Sequence, residues 1–309
     1  MKKFVVVLFL FFDLASFGQQ KQVCFSFDDL PVVSNGIKDS TYQKELFNKI
    51  VMSLQTNNVH AIGFVNECKL HDKVGIIQYQ VDLLRKWSMN GLDLGNHTFS
   101  HPDYNKVSYQ YYTDNILKGE TILKAILDEQ GKQIKYFRHP FLHVGNTKAK
   151  ADSLNDFLIK HNYSVAPVTI DNEDYLFAVA YKRTKDKNDT ALMNRIGHDY
   201  IDYMEEKLKY YEMQSNNLFG RNINQILLLH TSLLNSDYLD SLIALYKANN
   251  YVFISMDDAL KDAVYKTEIT VFGDRGISWI DRWALSAGRK GDFFKDDPIT
   301  PDYIKKLVE

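Results

Sequence analysis

Apolar runs of strand length alternate with amphipathic helical segments along most of the chain. Seven such runs predict strands: Gln22–Phe27, His60–Val65, Leu92–Leu94, Lys135–Phe137, Tyr163–Thr169, Gln225–Leu229 and Tyr251–Ile254. The segments between them carry helical spacing. Thr41–Thr56 places Leu46, Ile50, Val51 and Leu54 on one face, and Val74–Met89 does the same with Ile77, Val81, Leu84 and Trp87. Tyr109–Gln130 reads as one long helix ended by Gly131, and Ala149–Lys160 and Ser236–Asn249 as shorter ones. Repeated strand–helix units argue for a parallel sheet with its helices outside.

Two stretches break the repeat. Residues 175–224 are too long for one crossover. They hold a charged run, Tyr181–Thr190, read as solvated surface, and a helix expected over Ile201–Gln214. The second stretch is the tail, residues 263–309, with Gly273, Gly276, Trp279 and Trp283. The two tryptophans, four apart, fit a helix packed on the core. With no internal repeat and no low-complexity linker, residues 19–262 are expected to form one catalytic domain with an insertion, and the tail to pack on that domain.

Composition narrows the function. The 37 Lys and Arg against 39 Asp and Glu leave a net charge of -2, so there is no polybasic stripe and nucleic acid is not expected as a partner. Hydrophobic residues at 45% support a sizeable core. Lys2 and Lys3 precede an apolar run, Phe4–Phe12, too short to span a bilayer, and Ser16 and Gly18 sit at the −3 and −1 positions of a cleavage site. Residues 1–18 are therefore read as a signal peptide and the mature protein as periplasmic or extracellular, with no stable membrane span after cleavage. Cys24 begins the first strand while Cys68 follows the end of the second, so two free thiols are expected.

The titratable residues follow strand ends: Asp28-Asp29, His97, Arg138, Asp171 and His230. In a β/α barrel the loops at that face build the active site. One carboxylate of the Asp28-Asp29 pair with His97 and His101, four residues apart, can form a tripod that leaves positions open on a divalent metal. The other Asp and the distant His230 then suit a base and an acid. Each residue alone has a plainer reading: a turn pair for the aspartates, surface histidines, a core histidine, a surface arginine. His60, His71, His139, His143, His161 and His198 are assigned to structure or solvent.

The ordered set resembles the polysaccharide deacetylases, the NodB-homology group of carbohydrate esterase family four. Five motifs match in order: Ser26-Phe27-Asp28-Asp29-Leu30-Pro31, His97-Thr98-Phe99-Ser100-His101-Pro102, Arg138-His139-Pro140-Phe141, Asp171-Asn172-Glu173-Asp174-Tyr175, and Leu227-Leu228-Leu229-His230. The resemblance implies a distorted (β/α)7-type barrel. It implies that Asp29, His97 and His101 hold the metal, Asp28 is the base and His230 the acid. Arg138 would restrain Asp28, Asp174 would pair with His230, and Phe141 and Tyr175 would meet the substrate. A His₂Asp set points first to Zn²⁺, with Co²⁺ or Ni²⁺ able to substitute in vitro. The implied reaction is hydrolysis of N-acetyl, or O-acetyl, groups on a poly- or oligosaccharide. A deacylase of a small acetylated sugar or amide, and a non-catalytic carbohydrate-binding relative, stand as alternatives. Departures from the family pattern are Leu30 for a Gly, expected to thicken the cleft wall, Tyr175 for a Trp, and Phe141 without a hydroxyl. The polymer and the oligomeric state are not legible.

Overall fold

In the computed structural model, residues 20–309 are described. The expected signal segment lies outside them. Among the described residues seven strands form one parallel sheet: β1 (Lys21–Leu30), β2 (Ala61–Val65), β3 (Asp93–Asn96), β4 (Tyr136–Phe137), β5 (Ser164–Val165), β6 (Gln225–His230) and β7 (Tyr251–Phe253). The order is β5-β4-β3-β2-β1-β6, with β7 paired to the start of β1. The chain beyond β5 swings to β6, where Ile170 bridges Leu227 and brings the two edges of the sheet together. This is the expected distorted barrel.

β1 is the central strand. Val23, Cys24, Phe25 and Phe27 are all fully buried. Such a run has no polar face because helices cover the barrel outside and side chains fill it inside. The helices are α1 (Ser40–Thr56), α2 (Gln78–Met89), α3 (Tyr109–Lys118), α4 (Thr121–Asp128), α5 (Lys148–Lys160), α6 (Asp174–Asp186), α7 (Thr190–Phe219), α8 (Leu233–Ala248), α9 (Met256–Ala259), α10 (Trp279–Ser286) and α11 (Asp302–Val308).

Four expectations need correction. The helix expected over Tyr109–Gln130 is two helices. Gly119 lies against the backbone of Thr98 and Phe99, where an added Cβ would come within 2.8 Å, and the Glu67 carboxylate accepts the first amides of α4 from Ile122 and Leu123. The second correction is at Val74–Ile77, which is not helical: Asp72 accepts from the amides of Val74 and Gly75 in a turn, and α2 begins at Gln78. Third, the charged run Tyr181–Thr190 is not simply solvated. Its first part continues α6, whose inner edge buries Tyr181 and Thr184 while Lys182 and Asp186 pair on the outer side. The fourth is α7, which spans 30 residues and far exceeds the expected Ile201–Gln214.

The tail packs on the same body as expected. Ile304 of α11 is fully buried, and α10 buries Trp279 and Trp283. Cys24 and Cys68 are free thiols.

Candidate active site

Asp28 and Asp29 sit where the pairing of β1 with β2 loses register, between Phe27 and Leu30. The slip turns Asp29 into the left-handed region at φ 64, so successive carboxylates point into one site instead of to opposite faces. Leu30, expected to thicken the cleft wall, instead turns fully into the core and fills the space beside Gly63.

His97 and His101 are joined by a bend, not a helical turn. Thr98 and His101 both have positive φ, 67 and 55. Asparagine side chains pin the bend: Asn66 donates to the His97 carbonyl, Asn96 accepts from the Thr98 amide, and Asn115 of α3 accepts from the Ser100 amide. The imidazole rings meet edge-on at 4.8 Å.

Asp29, His97 and His101 each offer a ligand atom, all within 4.8 Å of one another. Both histidine Nε2 atoms lie 3.7 Å from Asp29 Oδ1, which is buried with no hydrogen-bond donor. His97 Nδ1 lies 2.8 Å from the Arg138 carbonyl and donates to it, leaving Nε2 with its lone pair facing the carboxylate. Burial pushes both histidines down to about 4, so the imidazoles are neutral at pH 7. Burial works to raise Asp29, but Lys69, His97 and His101 outweigh it and hold the carboxyl below its usual range. An orphaned carboxylate oxygen facing two neutral imidazoles is the donor set of a divalent cation, so these residues fit a metal.

Arg138 is fully buried and fixed on several sides. Its Nε donates to the Ala166 carbonyl, its Nη2 to Ser26 Oγ, and its Nη1 lies 3.3 Å from Asp28 Oδ1. Burial raises the Asp28 pKa against the pull of the Arg138 guanidinium. Asp28 Oδ2 lies 3.7 Å from His97 Nε2, next to the tripod without joining it.

His230 ends β6 in register with Asp28. Its Nδ1 is 2.7 Å from Asp174 Oδ1, and its amide donates to Asp174 Oδ2. Burial lowers the His230 pKa, but the Asp174 charge and hydrogen bond overcome this and hold it up at about 9. Phe141 packs edge-on against His101 at 4.4 Å and Tyr175 against His230 at 6.4 Å, so two half-exposed aromatic rings flank the site. All nine expected site residues are thus placed around one centre.

Sequence reasoning missed several supports. Asn235 donates to Asp174 Oδ2 and to the His230 carbonyl, and Tyr200 of α7 donates to Asn235 Oδ1. The insertion therefore buttresses the His230–Asp174 pair. Lys69 donates to the Asp29 carbonyl at 2.5 Å. A lone lysine after a strand carries no motif, so only the strand-end position pointed to it. Asp171, the first residue of its motif, touches neither Arg138 nor His230 by hydrogen bond and lines a cavity with the tail.

The polysaccharide deacetylase family model matches residues 17–157, which contain Asp28, Asp29, His97, His101 and Arg138. Over that stretch the chain is similar to the polysaccharide deacetylases. No curated protein matches the chain. Among solved structures, a CE4 family pseudoenzyme from Bacillus anthracis has a TM-score of 0.52 at 14% identity, over 78% of this chain and 66% of that one. A mutant of it with restored enzymatic activity gives 0.52 at 16%, over 78% and 68%. The peptidoglycan deacetylase PdaC from Bacillus subtilis gives 0.49 at 20%, over 79% and 93%. At these identities the likeness of the pseudoenzyme speaks for the fold alone.

Proposed function

We propose that this protein is a deacetylase that removes acetyl groups, N-linked first, from an exported-compartment poly- or oligosaccharide, with a divalent ion held by Asp29, His97 and His101. The observation that carries the reading is the pairing of two prepared groups beside that tripod, at the matched ends of β1 and β6. Asp28 is fixed by Arg138, and His230 is kept protonated by Asp174. When bound, the ion supplies Lewis acidity that polarises the acetyl carbonyl and acidifies water. Zn²⁺ suits the His₂Asp donors best.

Asp28 takes the proton of the attacking water, and Arg138 keeps the carboxylate aimed while it does so. The Phe141 backbone N–H is the donor proposed for the oxyanion. An amine leaves poorly unless protonated, and a histidine held at about 9 carries its proton at neutral pH. The ring faces of Phe141 and Tyr175 suit a sugar on either side of the scissile bond.

A pseudoenzyme shares this fold, so the binding-only reading needs its own answer. Here base, acid and all three ligands are present together, which a binding module does not require. The deciding experiment is acetate release from a panel of acetylated glycans, with and without chelator. Chelator-sensitive release from at least one glycan is expected. None from any, with metal fully loaded, would leave the binding-only reading standing.

A further inference from the structure

The two carboxylate oxygens of Asp29 have different partners. Oδ1 is buried, 3.7 Å from Nε2 of both His97 and His101, and receives no hydrogen bond. Oδ2 lies 3.9 Å from the Lys69 ammonium. The same ammonium donates to the Asp29 carbonyl at 2.5 Å. One side chain thus grips both the backbone and the carboxylate of a ligand residue. The backbone contact matters because Asp29 sits at φ 64, a conformation that costs a non-glycine residue and persists only when its surroundings hold it.

Lys69 reaches Asp29 from a fixed base. It belongs to the 3₁₀ turn Glu67–Leu70, which is tied on three sides. Asn66, just before the turn, donates from its side chain to the His97 carbonyl, and the Cys68 amide donates to the Phe99 carbonyl. The Glu67 carboxylate accepts from the amides of Ile122 and Leu123, and the Asn66 amide donates to the Leu30 carbonyl, next to Asp29. The turn therefore bonds to both segments that carry the tripod, and Lys69 is its direct link to a ligand residue.

We propose that Lys69 is the positioning residue of the metal site, holding Asp29 so that it presents one oxygen, Oδ1, beside His97 and His101. Resting on the metal reading above, this gives a side chain outside the tripod control over ion preference. A carboxylate offering one oxygen next to two imidazoles suits Zn²⁺. A carboxylate released from the ammonium can offer both oxygens, which suits larger, oxygen-preferring ions such as Mn²⁺.

The test is titration of the full chain, stripped with chelator, with Zn²⁺ or Mn²⁺ alone, together with the visible spectrum of the Co²⁺-loaded form. Lys69→Met keeps the length of the side chain and removes its ammonium. Zn²⁺ affinity should fall about 10–100-fold, as for other partners that orient a ligand. Mn²⁺ should lose less, so that the preference shifts toward it at least tenfold, and the Co²⁺ bands should move. Lys69→Arg, which keeps charge and donors, should stay within about threefold of wild type. Thermal melts confirm folding, and if Lys69→Met unfolds, Lys69→Gln is read by the same measures. Three results would overturn the proposal. Tighter binding of both ions would make Lys69 a mere opposing charge. An equal loss for both ions with unmoved Co²⁺ bands would make it general scaffolding. Unchanged metal binding with a raised KM for acetylated glycan would make it a substrate contact. A wild-type chain that binds no divalent ion overturns the metal reading itself, whereas a wild type that binds and a Lys69→Met that matches it overturn this proposal alone.

Discussion

Asp28 and Asp29 are neighbours in sequence with opposite assignments, and the difference comes from their surroundings. Asp29 faces two neutral imidazoles and a lysine, while Asp28 is buried against one guanidinium. Asp28→Asn should therefore keep metal occupancy at the wild-type level and cut turnover by about 10²–10⁴, the usual worth of a positioned base. His101→Ala should do the reverse at the first step and empty the site, as read by elemental analysis. Full occupancy in that variant would remove His101 from the ligand set. The acid carries a pH signature. His230 is raised to about 9 by Asp174, and in the proposed acid role its protonated form is the active one, so activity should fall as pH climbs past that value. Asp174→Asn removes the charge that raises it and should move the alkaline limb to lower pH. The same sign applies to stability. A raised histidine contributes fully below its unfolded pKa of about 6.5, and that contribution is lost as pH rises through about 9. An alkaline limb unmoved by Asp174→Asn would deny His230 the acid role.

At the scale of elements, positions that touch neither metal nor substrate set the geometry. Gly119 is the clearest. It ends α3 and lies against the Thr98–Phe99 backbone of the histidine bend. Gly119→Val should weaken metal binding at least tenfold while α3 and α4 survive, because the side chain pushes on the Thr98–Phe99 backbone and on the Asn96 amide oxygen that pins the bend. Unchanged affinity would show that the bend can yield. Tyr200 makes the same case for the insertion. Tyr200→Phe leaves the ring but strands the buried Asn235 Oδ1, at a cost of about 1–3 kcal/mol. A lower melting temperature together with a shifted His230 limb would show that α7 supports the acid; a lower melting temperature alone would confine it to packing. These elements also show what the sequence could tell. Strands, helix faces and strand-end motifs were legible because they repeat with the period of the backbone. The break at Gly119 was not, since its cause lies in Glu67 and Thr98, far away along the chain. The inward turn of Leu30 was equally hidden: a missing side chain at Gly63 makes room for it.

For the whole molecule, the tail is the part whose status matters most. It reads as an extension, yet it closes the barrel's third motif. The Trp279 amide donates to the Val168 carbonyl, Arg282 donates to the Leu142 carbonyl just past Phe141, and Trp279 stacks on His139 at 6.4 Å. Farther on, Ile304 of α11 is fully buried, and α11 packs on α6, the helix that begins with Asp174. Burying large apolar side chains contributes about 1.5–3 kcal/mol each. Losing Trp279, Ile280, Trp283 and Ile304 together would remove an amount comparable to the whole 5–15 kcal/mol stability of an ordinary domain. A chain ending at Asp262 should therefore fail to give a cooperative melt, although it keeps every residue of the five motifs. A milder cut, before Asp302, removes only α11. It should leave a cooperative domain that melts several degrees lower and still binds metal, because α11 packs chiefly on α6 and the tripod is built at the ends of β1 and β3. If the chain ending at Asp262 instead melts cooperatively at the full-length temperature, the tail is decoration and the cavity it encloses has no claim on the chemistry beside it.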